Sequence, residues 1–247
     1  MIKFFRKIRQ NLLMENKTGK YLKYAIGEIV LVMAGILLAL QVSNWNENRK
    51  FNTIKQNYYQ QLLMDLKADK NYAKSIISSL DSSFTKYNKY EETFKEPNLT
   101  IQKVVENIKN NNYYTRNLEF KTSTIKTLLN TGDIKLLDPM LRNKLTAYKG
   151  NKTQTLNISK NNNNNAQNVL MSAIMYGANP NLIRRLQNQP ELMNIFALEN
   201  KYPKIILELD AYLSIKVDGE KTTIHHLNEI ISDADIIIES IQEKIEK

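Results

Sequence analysis

The chain has 247 residues, two histidines and no cysteine. That excludes a disulfide framework, a thiolate nucleophile and any cysteine-ligated metal. The formal net charge is +10, but residues 1–24 hold seven Lys/Arg against Glu15 alone, so +6 sits there and 10 − 6 leaves +4 for the other 223 residues. A local basic cluster of this kind suits the anionic inner leaflet of a membrane, not nucleic acid.

Residues 2–15 interleave Phe4, Phe5, Ile8, Leu12 and Leu13 with Lys3, Arg6, Lys7 and Arg9. The apolar residues recur at helical spacing, which predicts an amphipathic helix on the cytoplasmic face, within a basic segment over residues 1–20. Lys17 and Lys20 flank a break (KTGK), and Lys23 completes the basic cluster.

Residues 25–42, AIGEIVLVMAGILLALQV, are apolar except at Glu28 and Gln41. This predicts one transmembrane helix within residues 21–45. Tyr24 and Trp45 bracket it, and a rise of about 1.5 Å per residue puts them roughly 31 Å apart, about one hydrocarbon thickness. Aromatic side chains prefer that interface, and Tyr21 strengthens the inner belt. Only Arg49, Lys50 and Lys55 follow closely on the far side. Positive-inside bias therefore predicts a cytoplasmic N-terminus, with residues 46–247 outside the cytoplasm. A cleaved signal peptide fits poorly, because the run is long, the basic region before it is extended, and no small-x-small site follows Leu40 before Trp45. A buried helix of a soluble protein fits poorly too, because the run is apolar on every face.

Glu28 is the sharpest residue in the span, since an ionisable group there is costly and usually faces protein or water. At about 100° per residue, Gly35 and Ala39 fall within roughly 20° of it on the helical wheel. Small residues let helices approach closely, and a polar group among them can bond across the interface. One reading is thus an oligomer seam of Glu28, Gly35 and Ala39. A second has Glu28 snorkelling toward the inner surface or toward Lys20 and Lys23. A third makes it a proton-handling carboxylate.

After Trp45 there is no Gly or Pro until Pro97. Phe51, Ile54, Tyr58, Leu62, Leu66, Ala73, Ile76, Leu80, Phe84, Tyr87 and Phe94 step by three, four or seven, a helical stripe. The span is expected to continue as a long helix toward Glu96, about 75 Å over fifty residues, with coiled-coil pairing to a partner helix. Shorter helices are expected over 99–109 and 119–130, the latter stopped by Gly132. Asp138-Pro139 reads as an N-cap with Pro at N1, opening a helix through Met140, Leu141, Leu145 and Tyr148. Gly150 is a candidate kink, and the asparagine tract 161–165 reads as a loop or a poor stretch of helix. The helix resumes over 169–176 and breaks at Asn179-Pro180. Helices over 190–201 and 203–216, a turn at 217–221 (VDGEK) and a closing helix over 224–245 complete the chain, the last with Leu227, Ile230, Ile231, Ile238, Ile241 and Ile245 on one face.

The string KTGKYLKYAIGEIVLVMAGILLALQVSNWNENRK carries Gly27-Glu28-Ile29, Gly35-Ile36-Leu37, Ala39-Leu40-Gln41 and Trp45-Asn46-Glu47. It resembles the N-terminal signature of a family of uncharacterised single-span bacterial membrane proteins, a domain-of-unknown-function family. A weaker second block over 123–142 also fits. The resemblance implies an inner-membrane anchor with a helical domain outside. It implies no activity.

Catalytic patterns are weak. His225 and His226 are adjacent, so their side chains point about 100° apart on a helix and rarely share a metal. Asp233 and Asp235 do not complete a ligand set, and no nucleophile elbow or glycine-rich phosphate loop occurs. The tyrosines at 58, 59, 87 and 90 sit on or near the apolar stripe, as core residues do.

The expectation is an all-α protein: one N-terminal transmembrane helix continuing into a long helix, with an extracytoplasmic antiparallel helical bundle. The function expected is a non-enzymatic scaffold or assembly module of the bacterial inner membrane, without cofactor or metal. Its partners are the lipid bilayer, further copies of the chain and another membrane protein. An ion- or proton-coupled subunit of stator-like or channel-forming kind, using Glu28, is the first alternative. An extracytoplasmic sensor is the second.

Overall fold

The computed structural model describes residues 14 and 18–245. The amphipathic segment predicted over 2–15, and with it Lys3, Arg6, Lys7, Arg9 and Lys17, lies almost wholly outside the described residues. Among the described residues every regular element is helical. In chain order these are α1 (Thr18–Thr93), α2 (Ile101–Lys109), α3 (Thr124–Thr131), a 3₁₀ turn (Asp133–Leu136), α4 (Pro139–Tyr176), α5 (Pro180–Leu186), α6 (Pro190–Phe196) and α7 (Leu198–Ile245). The chain divides into two units, Met1–Asn57 and Tyr58–Lys247.

The described part of the first unit is helix. It holds an 18-residue window of mean hydropathy 2.3, none of it buried inside the protein. One N-terminal helix is therefore long and apolar enough to span a membrane, as the sequence predicts. Lys20, Tyr21, Lys23 and Tyr24 lie in its first two turns.

The second unit is built on a core shared by three long helices. Tyr59, Leu62, Leu66, Ala73 and Ile76 of α1 meet Leu141, Leu145 and Tyr148 of α4 and Leu227, Ile230, Ala234, Ile237 and Ile241 of α7. Burying such side chains is worth roughly 1.5–3 kcal/mol each, which is what stabilises helices of modest intrinsic propensity. The stripe whose spacing suggested a partner helix is, from Tyr59 to Ile76, covered by α4 and α7 of the same chain, while Phe94 at its far end is exposed. Cross-helix pairs fix the directions. Lys144 meets Ser240, Asn151 meets Asp233 and Asn162 meets Gly219, so α4 and α7 are antiparallel. Lys70 pairs with Asp235 and Tyr90 with Asp210, so α1 and α7 are antiparallel as well. A second core joins Tyr90, Ile108, Ala166, Tyr212 and Leu213.

Local chemistry explains most boundaries. Asp138 caps α4, its Oδ1 accepting from the Met140 and Leu141 N–H groups at 2.9 and 3.4 Å, with Pro139 at the first position. Gly132 ends α3 at φ 80°, a left-handed conformation that glycine adopts without a Cβ penalty. Asn179 caps α5 ahead of Pro180. Thr100 caps α2, accepting from Lys103 N–H at 3.3 Å.

Three expectations are corrected. The helix predicted over 119–130 begins only at Thr124. Side chains of α1 take its first backbone donors: the Glu119 N–H donates to the Tyr72 hydroxyl, and the Ser123 and Thr124 N–H groups to Asp65 Oδ2. The turn predicted at 217–221 is helix, because Val217 is buried and Gly219 lies at the crossing with α4. The two short helices predicted over 190–201 and 203–216 divide instead at Ala197, which is left-handed at φ 48°. Pro203 stands inside α7, near its start, where it removes one donor from the ladder. Of the two readings of the asparagine tract, helix is the one found: Asn163 Nδ2 donates to the Arg116 carbonyl at 2.9 Å and so ties the 110–123 segment to α4.

Candidate functional site

Two places set polar groups among small or apolar residues. The first is the face of Glu28, Gly35 and Ala39 on α1. Gly35 is exposed, and a Cβ built there meets nothing within 4 Å. Its own chain therefore does not require a glycine, although glycine in a helix costs about 1 kcal/mol against alanine. Glu28 is half-buried on the same helix.

The second lies in the helical core and escaped the sequence reading. Asp69 is buried on α1, between Leu66 and Ala73. Its Oδ2 accepts from the Tyr148 hydroxyl at 2.9 Å and from Lys152 Nζ at 2.5 Å. Its Oδ1 accepts from the Thr122 hydroxyl at 2.9 Å. Lys152 Nζ also donates to Thr122 Oγ1 at 2.7 Å and stands 4.7 Å from the centre of the Phe120 ring. The side chains of Asp69 and Lys152 are 3% and 13% exposed, so this is a largely desolvated ion pair. Such pairs persist when further hydrogen bonds satisfy the remaining polar atoms, which Tyr148 and Thr122 do. Burial, then the charge of Asp69, pushes the Tyr148 hydroxyl well above its ordinary range, so it stays a donor.

Beside this network is a cavity of about 280 Å³. Leu62, Leu66 and Tyr148 line its buried side, and Lys126, Lys149 and Thr153 its exposed side.

A second buried pair joins α7 to α1. Lys216 Nζ donates to Glu220 Oε1 at 2.6 Å and to the Ser83 hydroxyl at 2.9 Å. Burial pushes the Glu220 carboxyl above its ordinary range, against the opposing pull of Lys216.

The other residues singled out by sequence fall as follows. His225 and His226 both lie against Glu229, at 3.4 and 2.8 Å. Asp233 is bonded to Asn151 and Asp235 to Lys70. Among the described residues no three His, Asp or Glu side chains converge on a metal position. Tyr59 and Tyr90 are core residues, the latter donating to Asp210 at 3.0 Å. Tyr58 and Tyr87 are half-buried, with Tyr58 donating to Asp133 at 2.6 Å.

Asp69 had one legible signal: it sits on the apolar stripe itself, in the series Leu62, Leu66, Asp69, Ala73, Ile76. Its partners, 53 to 83 positions away, had none.

No family model matches the chain, and neither a curated protein nor a solved structure matches it.

Proposed function

We propose that the chain is a membrane-anchored, non-enzymatic scaffold or assembly module, homo-oligomeric through its transmembrane helix. The observation that carries this reading is the exposed apolar window of α1, which no other described residue covers and which is matched in length to a bilayer. The basic residues before it argue for a cytoplasmic N-terminus and an extracytoplasmic helical domain over residues 46–247. Tyr21, Tyr24 and Trp45 serve as interfacial anchors, and the N-terminal lysines and arginines meet the anionic inner leaflet. Gly35 and Ala39 let a second copy approach, with Glu28 on the same face as the polar group that fixes register.

The cysteine-free sequence makes the test direct, because a single introduced thiol can form only intermolecular disulfides. Ala39→Cys is expected to cross-link copies in membranes under mild oxidation. Leu37→Cys, about 180° from Glu28 on the wheel, is expected not to. Equal cross-linking from both faces, or none from Ala39→Cys, contradicts the seam.

A further inference from the structure

The cavity beside Asp69 lies in the helical core and does not depend on the assembly reading. We infer that it takes a small organic carboxylate with an apolar body, the carboxylate placed against Lys152, Lys126 and Lys149 and the body against Leu62, Leu66, Phe120 and Tyr148.

Size is the first argument. Protein interiors hold few voids larger than a water molecule. At about 280 Å³ this space is far beyond one, and it lies just under the roughly 300–1,000 Å³ of small-molecule pockets. Its make-up is the second. A mostly apolar lining with a few convergent polar groups is how such pockets fix a ligand's orientation.

Charge decides the class. The two carboxylates in the lining are occupied by protein donors: Asp65 Oδ2 by the Ser123 and Thr124 N–H groups, and Asp69 by Thr122, Tyr148 and Lys152. The lysines are less committed. Lys152 spends two of its three N–H donors, on Asp69 and Thr122. Lys126 and Lys149 are exposed. A cation entering here would compete with Lys152 for Asp69 and meet three ammonium groups. An anion would meet donors. A free metal or inorganic ion would leave the apolar wall unused, whereas a carboxylate on a short hydrocarbon or a single ring uses both.

The test uses the full chain in phosphatidylcholine nanodiscs, with hexanoate and 3-phenylpropionate as probes and 3-phenylpropylamine as the cationic control. Binding is followed by saturation-transfer NMR and calorimetry. Saturable binding of at least one carboxylate, at one site per chain, is expected, with no competition from the amine. The double variant Lys126→Gln/Lys149→Gln changes only exposed side chains. It is expected to keep its helical circular dichroism and bind about fivefold more weakly, as the loss of two screened charges implies. Leu156→Trp, which puts an indole into the lining, is expected to abolish binding. No saturation with either carboxylate overturns the inference. So does equal binding of the amine, or carboxylate binding unchanged by both variants.

Discussion

A Cβ placed on Gly219 would stand 2.8 Å from the Cβ of Asn162. The two residues sit where α7 crosses α4, and the Asn162 side-chain amide donates to the Gly219 carbonyl at 3.4 Å. The glycine is there because the backbones come too close for any side chain, and the asparagine on the facing helix closes the remaining space.

The first prediction follows from that contact. Gly219→Ala gains about 1 kcal/mol of helix propensity, yet overpacking costs about 1–3 kcal/mol. Because the clash is with a Cβ, which no rotamer change can move, net destabilisation is expected in urea titrations followed by helical ellipticity. An Asn162→Ala background should not relieve it, while Asn162→Gly should. Relief by both would place the strain elsewhere.

The buried network around Asp69 gives the second. Lys152→Met leaves a desolvated carboxylate without its cation, so a loss of about 3–5 kcal/mol is expected. Adding Asp69→Asn to that variant should recover part of the loss. The double variant then costs less than the sum of the singles, with a coupling of about 0.5–3 kcal/mol. Strict additivity in this cycle would show that the two groups do not act as a pair.

Glu220 supplies a pH dependence. Its carboxyl is raised in the folded chain, first by burial, so protonation favours the fold. The stability it contributes is fully present below its ordinary carboxylate range and is lost as pH rises through the raised folded value. The stability of wild type relative to Glu220→Gln should therefore be highest at acid pH and decline toward neutrality. A difference that stays flat, or grows with pH, is incompatible with this sign.

Glu28 tests whether the seam needs a charge or only a polar group. Glu28→Gln keeps a hydrogen-bonding group at the same place without the charge. The oligomer should persist, with disulfide trapping from Ala39→Cys in the same background unchanged. Loss of trapping would mean that the charge itself holds the copies together.

The helical class, the apolar N-terminal helix and the caps at Asp138 and Gly132 were legible in the sequence because each rests on local chemistry. Asp138-Pro139 and Gly132 act within one turn of themselves. Misreadings arose where distant groups decided the local structure. The start of α3 is set by Asp65 and Tyr72, some fifty residues upstream. The VDGEK segment has the composition of a turn, yet its glycine serves a helix crossing that only the fold creates. The buried pairs Asp69–Lys152 and Lys216–Glu220 were hidden differently. Lys216 and Glu220 are four residues apart on one helix, but a segment read as a turn hid that spacing, and the partners Ser83, Tyr148 and Lys152 appear only once the three long helices pack.

The most direct test of the central claim is the mass of the nanodisc-extracted complex by native mass spectrometry, for wild type and Gly35→Leu. Among the described residues nothing opposes a side chain at Gly35, so the variant should fold as the wild type does. The account predicts a defined oligomer for wild type and its loss on Gly35→Leu. A monomer in both, or the same oligomer in both, would contradict it.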